Sequence, residues 1–483
     1  MNKLYQIHIR DFLFKISPTA KLVDIPNSFW QDLSQKNITI VYLLGIWQIC
    51  NDSKILSQKN YQNVGLNTVS QSQKTTQKIV GSCFAIDDYC VDTELGIEQD
   101  ILNLKQTLNN LGISLVLDFI PNHFGVSSPL LNTNPNIFLQ NDTHNNPNFD
   151  QQFYFEHNYI QFLYGKDPNF GSWSDTVQID YSQPETHVFM TQKLEYIASL
   201  CDGVRCDMAM LIEPEIFNKT WSNLLQREIK IYQSFWNEAI ANIKKTQANF
   251  IFIAEVYWDM EEQMLRSGFD FVYNKEFLDA LIYQNFEELQ NNLQTFKNPV
   301  YFLENHDEKR SITTINPSIL ELSAVLLCFL GGIQFFYDGQ WQGETVRNPI
   351  QILDSTQSIP NLKIQNLYEK LLQYTNQNIF KLGQITFKHN IKYSDLITII
   401  WEYQEAKTDT KTNLKRYIFI NFGQDTKTII ETFECQYVEQ KTYNNNCHKI
   451  QTKSKHIFDQ NVSEYQNMLI EIPPKNWMIV ECF

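Results

Sequence analysis

Ile113-Ser114-Leu115-Val116-Leu117-Asp118-Phe119-Ile120-Pro121-Asn122-His123 is a near-continuous apolar run that ends in polar residues. Its apolar side chains fall on both alternating faces. A strand of that kind is buried on both sides, and such strands belong to parallel sheets covered by helices. Residues 101–111, just before it, carry apolar side chains at helical spacing. The same rhythm extends in both directions. Residues 5–9 read as a strand, 29–35 as a helical piece and 38–44 as a second buried strand. Downstream, helical 191–201 precedes a short strand at 203–206, and helical 235–245 precedes a strand at 250–254. Residues 276–296 are mainly helical before a strand at 300–303, and helical 319–330 precedes a strand at 333–337. About eight such units predict a closed (β/α)8 barrel with insertions rather than an open sheet.

Two intervals break the rhythm. Residues 125–178 are rich in Asn, Pro, Asp and aromatics, including Asn132, Asn134, Pro135, Asn136, Pro147 and Pro168. This is loop chemistry of functional length, and it predicts an inserted loop domain after the third strand. Residues 51–78 form a second polar loop, rich in Gln, Ser and Asn. From residue 384 the pattern changes. Segments 396–402, 416–421, 428–433, 448–452, 468–472 and 477–483 read as strands divided by polar loops. The reading is thus a catalytic barrel over 1–383, containing the 125–178 insertion, and a small antiparallel β-sandwich over 384–483.

Composition narrows the function. The net charge of −15 repels nucleic acid phosphates and anionic membrane surfaces, so neither is expected as a partner. A neutral sugar meets no such repulsion. The aromatic content of 13% suits stacking on sugar rings as well as an aromatic core, and composition alone leaves both open. The nine cysteines form no CxxC pair, so neither a zinc site nor a disulfide framework is suggested. The first residues lack a signal-peptide core, and the apolar stretch at 324–330 is far too short to span a bilayer. The expectation is a cytoplasmic protein.

In a (β/α)8 barrel, chemistry sits where the strands open into loops at their C-terminal ends. The third strand delivers Asp118, Asn122 and His123 there. The fourth, Gly203-Val204-Arg205-Cys206, delivers Asp207. The fifth, Phe250-Ile251-Phe252-Ile253-Ala254, runs into Glu255, and Tyr301-Phe302-Leu303 runs into Glu304-Asn305-His306-Asp307. One such carboxylate reads as a helix cap. Several on one rim repel one another, a cost that active sites accept for acid–base chemistry. No HExxH motif and no glycine-rich phosphate loop after the first strand competes with this reading.

At these residues the chain resembles the alpha-amylase family, glycoside hydrolase family 13, through four short motifs in the right order on the right strands. The resemblance covers residues 5–349, and a C-terminal β domain is usual in that family. The stretch Cys201-Asp202-Gly203-Val204-Arg205-Cys206-Asp207-Met208-Ala209-Met210 is similar to that of a little-characterised bacterial branch. The resemblance implies a retaining α-glycosidase acting on α-linked glucans or oligosaccharides through a covalent glycosyl-enzyme. Asp207 then corresponds to the nucleophile, Glu255 to the general acid and base, and Asp307 to the third carboxylate, which holds sugar hydroxyls. Arg205 corresponds to the partner of Asp207, and His123 and His306 to the histidines that bond the sugar in the cleaved position. Asp118 and Asn122 correspond to structural or calcium-linked positions. No cofactor is implied for the chemistry, and a structural calcium is left open.

Elementary chemistry supports the same assignment. A retaining mechanism needs one ionised and one protonated carboxyl about 5–5.5 Å apart. Strand alternation puts Arg205 on the same side as Asp207. Ala254 and Val256 suggest a dry, acidic-group-raising neighbourhood for Glu255. Phe84 falls where the family carries a stacking Tyr, and is open between a sugar-stacking face and a core role. Tyr257 and Trp258 are open between cleft walls and packing under a loop. Arg310 follows Asp307 at a spacing seen in exo-acting members.

The sequence also departs from the family. Met210 and Leu211 replace a Lys-His pair that contacts the leaving-group sugar in starch-cleaving members. Gln178 and Gln340 replace acidic residues. Three functions follow: a hydrolase, a transglycosylase sharing the same intermediate, and a catalytically inactive binding member. The intact Asp207, Glu255 and Asp307 argue against the last.

Overall fold

The computed structural model describes residues 2–482 except 63–76, 142–149, 227, 232, 357, 408–409, 434–436, 444–450 and 457–465. Eight parallel strands close on themselves: β1 Asn2–His8, β2 Ile40–Leu44, β3 Ser114–Phe119, β4 Gly203–Cys206, β5 Ile251–Ala254, β6 Phe271–Tyr273, β7 Pro299–Phe302 and β8 Ile333–Tyr337. β8 returns to β1 with Asn2 opposite Ile333. Every residue of β2, β4, β7 and β8 is buried, as expected of strands with the barrel interior on one side and helices on the other. The (β/α)8 fold is therefore the one anticipated.

The differences are local. β6 has three residues, too few for an apolar run to register, and the reading passed over it. β1 begins before residue 5 because both of its faces take a polar residue, Gln6 toward His306 on the inner side and Lys3 toward the outer helices, each 0% exposed. Lys3 Nζ donates to Thr375 Oγ1 at 2.8 Å, which satisfies the buried ammonium. The helical stretch at 276–296 is two helices, Lys275–Ile282 and Phe286–Thr295. The second starts where the Asn285 side chain accepts from the Glu288 amide, an N-cap that opens a new helix.

Both intervals expected as loops carry structure. The insertion builds a four-stranded antiparallel sheet in the order His123–Gly125, Trp173–Gln178, Ile160–Gly165, Tyr154–His157. Residues 51–62 form a helix, and Gln77–Ile79 pairs with Ile352–Asp354. The remainder of the 51–78 interval lies outside the described residues.

At the C-terminus a six-stranded sheet starts at Gln384, and a two-stranded sheet pairs Lys427–Phe433 with Gln466–Ile472. Alternation divides the faces of the larger sheet. Ile397, Ile399, Trp401, Ile418, Ile420 and Ile479 join the barrel's core. Their neighbours Leu396, Tyr417, Phe419, Met478 and Val480 pack with Ile470 and Ile472 of the smaller sheet. The Trp401 indole donates to the Phe329 carbonyl at 2.9 Å and pins the sheet to the barrel. Tyr437–Tyr443 is a strand the sequence reading missed, and Gln451–His456 occupies part of what was read as 448–452, whose first residues lie outside the described set.

Candidate active site

Arg205 organises the rim. It is 1% exposed, and its guanidinium meets three carboxyls. Nη1 lies 2.8 Å from Asp207 Oδ1 and 3.4 Å from Asp118 Oδ1, and Nη2 lies 2.7 Å from Glu255 Oε2. The strand register explains the convergence. Arg205 sits opposite Asp118 on β3 and Ile253 on β5, so Asp207 and Glu255 leave adjacent strands at the same height. One cation beneath three buried carboxyls leaves an excess of negative charge. Burial, reinforced by Glu255 and Asp118, pushes the Asp207 carboxyl well above the usual carboxylate range against the pull of Arg205. Burial likewise lifts Asp118 to about 6, although Arg205 and Tyr42 hold it back.

Glu255 is buried, 3% exposed, but its neighbours are more polar than its apolar flanks suggest. Besides Arg205, the Met208 amide donates to its Oε2 at 2.8 Å and the Tyr257 hydroxyl donates to its Oε1 at 3.0 Å. Met208 reaches this position in a left-handed conformation, φ 41°. The expected apolar pocket is thus a cage of donors, which fixes the carboxyl's orientation.

Asp307 enters from the loop after β7. Its side chain is 49% exposed toward the cleft, and His306 Nε2 lies 3.1 Å from Oδ2. The His306 ring is held from behind by Gln6, whose Nε2 is 2.8 Å from Nδ1. Gln6 is a positioning residue that the sequence reading missed, because a polar residue within β1 gives no signal of its partner. Surrounding protein raises the Asp307 carboxyl, while Arg205 and Arg347 restrain it. Burial lowers His123 to about 4, so its ring is neutral across the physiological range.

These groups face a cavity of about 860 Å³ whose lining includes Phe84, His123, Asp207, Glu255, Tyr257 and Asp307. Phe84 has one face on the cavity and one in the packing around the site. It lines the cavity and packs its ring 5.5 Å from that of His306, with the Arg205 guanidinium 5.4 Å from its centroid. Trp173, Phe170 and Tyr61 complete the walls. None of these three was anticipated. The aromatic enrichment of the inserted segment was visible, but not which rings would turn inward.

Two assignments change, those of Trp258 and Arg310, and Asp118 and Asn122 fit the structural of their two readings. Trp258 is 38% exposed and lies outside the cavity lining, so only Tyr257 of that pair forms a wall. Arg310 does not reach the cavity. Its guanidinium is consumed by Glu304 at 2.7 Å, Glu344 at 2.9 Å and the Asp338 carbonyl at 2.7 Å, over the face of Tyr337. It braces the loop after β8 and is committed there rather than to the cavity. Asn122 and Asp118 do not present a calcium cage. Asn122 Oδ1 accepts from Gln178 Nε2 at 3.0 Å, and Asp118 accepts from Tyr42 at 2.5 Å. Gln178 therefore supplies a donor where a cation site needs an acceptor. Among the described residues, no three His, Cys, Asp or Glu side chains group as a metal site.

The departures from the family are equally concrete. Met210 and Leu211 are buried and take no part in the cavity wall. Gln340 donates to the Tyr368 hydroxyl at 2.8 Å and has become a core link.

A closed parallel barrel with clustered carboxyls at the C-terminal ends of its strands defines a barrel enzyme with an acid–base cleft. Residues 66–428 match the family description "Alpha amylase, catalytic domain". The chain belongs to the alpha-amylase family of glycoside hydrolases. It is 23% identical over 469 aligned residues to Alpha-amylase 2 of Dictyoglomus thermophilum, a match covering 86% of this chain and 75% of the relative. A noncanonic maltogenic alpha-amylase from Thermotoga neapolitana shares the fold with a TM-score of 0.66 at 18% identity, over 100% of this chain and 98% of its own. An alpha-amylase from Geobacillus thermoleovorans, solved with acarbose, gives a TM-score of 0.67 at 15% identity, over 100% and 98%. No helix among the described residues is long and apolar enough to cross a membrane.

Proposed function

We propose that this protein is a retaining α-glycosidase that cleaves α-glucosidic bonds in glucans or oligosaccharides through a covalent glycosyl-enzyme. The observation that carries the reading is the single guanidinium of Arg205 holding both Asp207 and Glu255 at the floor of an aromatic-walled cavity. One cation faces three buried carboxyls, and burial raises Asp207 against its pull, so the cluster can keep a proton for a retaining mechanism. In the reactive complex the proton resides on Glu255 and Asp207 is the carboxylate. Asp207 attacks the anomeric carbon while the glycosidic bond breaks, and the leaving oxygen takes the proton from Glu255. Glu255, now a carboxylate, removes a proton from water. The resulting hydroxide attacks the same carbon, and the bond to Asp207 breaks.

The other groups prepare that sequence. Asp307 presents its carboxyl to the reacting sugar with the buried His306 ring behind it, and His123 faces the same space. Phe84 and Tyr257 offer apolar faces to the ring. The chemistry uses side chains alone and needs no cofactor. Cys50, Cys83, Cys90, Cys201, Cys206 and Cys328 are free thiols, five of them buried, which suits a reducing cytoplasmic setting.

The test is incubation with soluble starch, maltooligosaccharides, isomaltose, sucrose and trehalose, with Asp207→Asn as control. Shorter products that retain the α configuration by proton NMR, and are absent in the control, support the proposal. β-Configured products overturn the retaining mechanism. Longer or rearranged sugars reassign the chain as a transglycosylase working through the same intermediate.

A further inference from the structure

The inserted sheet carries a second cavity, of about 730 Å³, that shares none of its described lining residues with the catalytic one. Its base is apolar, from the buried Phe138 and the partly buried Ile160. Its walls are amides: Asn136, Gln140, Asn141, Gln161 and Gln183. Asn141 Nδ2 donates to Gln161 Oε1 at 2.7 Å, which orients both groups. That bond leaves Asn141 Oδ1, an acceptor, and Gln161 Nε2, a donor, for another partner.

The rim bears Tyr159, which is 98% exposed. It sits with Asn158 at the tip of the hairpin joining Tyr154–His157 to Ile160–Gly165. Both tip residues have positive φ, 49° and 66°. Such a tip favours glycine at the second position, and a bulky aromatic there is strained. Backbone strain that presents an exposed ring beside a cavity is a functional signature.

We propose that this cavity is a second, non-catalytic site for a neutral polyhydroxylated chain, namely a stretch of α-glucan. The proposal rests on the reading of the chain as an α-glucan-active enzyme. Among the described residues the lining contains no Lys, Arg or His, and Asp180 and Glu185 make it repel anions such as phosphates. Asp180 is already satisfied by the Ser182 amide and hydroxyl at 2.9 and 2.6 Å, so it is not waiting for a cation. Amides supply donors and acceptors together, as sugar hydroxyls require. The apolar base and the Tyr159 ring suit the C–H face of a glucose unit. A polymer held here stays tethered to the protein between cleavage events, which raises its effective concentration at the catalytic cleft.

The test is affinity electrophoresis through gels containing soluble starch, with Asp207→Asn as the parent so that the polymer is not consumed. Tyr159→Ala and Gln161→Ala are added separately to that parent. Each is expected to weaken retardation by severalfold. In the otherwise wild-type protein, the same substitutions leave kcat/KM on maltotriose within twofold and lower it severalfold on starch. A protein that cleaves α-glucosides but is retarded equally with and without Tyr159 and Gln161 overturns the second site alone. A protein that neither cleaves them nor is retarded overturns the functional reading, and the second site with it.

Discussion

Replacing Asp118 by Asn tests the electrostatics of the site directly. Asp118 is 2% exposed, and burial lifts its carboxyl from the ordinary 3.8 to about 6. A carboxyl that binds its proton more tightly when folded destabilises the fold as pH rises between the two values, and the effect is complete above the higher one. The difference between 3.8 and about 6 corresponds to roughly 3 kcal/mol at 1.36 kcal/mol per pH unit. Asn keeps an oxygen for the Tyr42 hydroxyl, which donates to Asp118 Oδ1 at 2.5 Å, and removes the charge. Asp118→Asn is therefore expected to gain little near pH 4, more as pH rises through 5 and 6, and roughly 3 kcal/mol at pH 7 and above. Urea denaturation of both proteins across pH 4–8 reads this difference. A gain that does not change with pH, or a loss that grows as pH rises, refutes the account of Asp118 as a buried carboxylate held against its preference. Activity is expected to fall in the same variant, because Arg205 loses one of three carboxyls and shifts toward the other two.

Three further outcomes separate roles in the site. Glu255→Gln is expected to lower kcat on maltooligosaccharides by about 10²–10⁴, and to lower glycosyl-enzyme formation far less on an aryl α-glucoside whose leaving group needs no proton; equal losses on both would remove Glu255 from the acid role. Arg310→Met leaves Glu304 and Glu344 without their shared cation and is expected to cost about 3–5 kcal/mol in thermal denaturation, with KM unchanged for the folded fraction; a tenfold rise in KM at unaltered stability would return Arg310 to the substrate. Tyr159→Gly is expected to raise stability by about 1 kcal/mol through relief of the positive φ, together with loss of starch retardation; destabilisation would show that the ring is packed rather than presented.

The barrel was legible because its strands are buried on both faces. Ile113–Phe119 or Ile333–Tyr337 has no other stable home than a parallel sheet under helices, so apolar runs and intervening helical periods fixed the architecture. Legibility failed where that signal is absent. β6 has three residues, and β1 contains Lys3 and Gln6, whose partners Thr375 and His306 are 372 and 300 residues away. The site divides in the same way. Asp207 and Glu255 follow their strands directly and Asp307 lies in the loop just past β7, so strand position alone predicts all three at one rim. Residues that act through side-chain reach were not legible. Arg310 lies three positions from Asp307 and points into a different network, whereas Trp173 comes to the cleft from the far end of an insertion. Spacing along the chain fixes which way a backbone leaves a strand, but the direction of a long side chain depends on which distant carboxylate captures it. The insertion is the extreme case. Its Asn- and Pro-rich composition reads as loop, yet those amides, paired across a small sheet, make the one kind of surface that composition could not distinguish from solvent-exposed polar chain: a walled cavity with donors and acceptors already oriented.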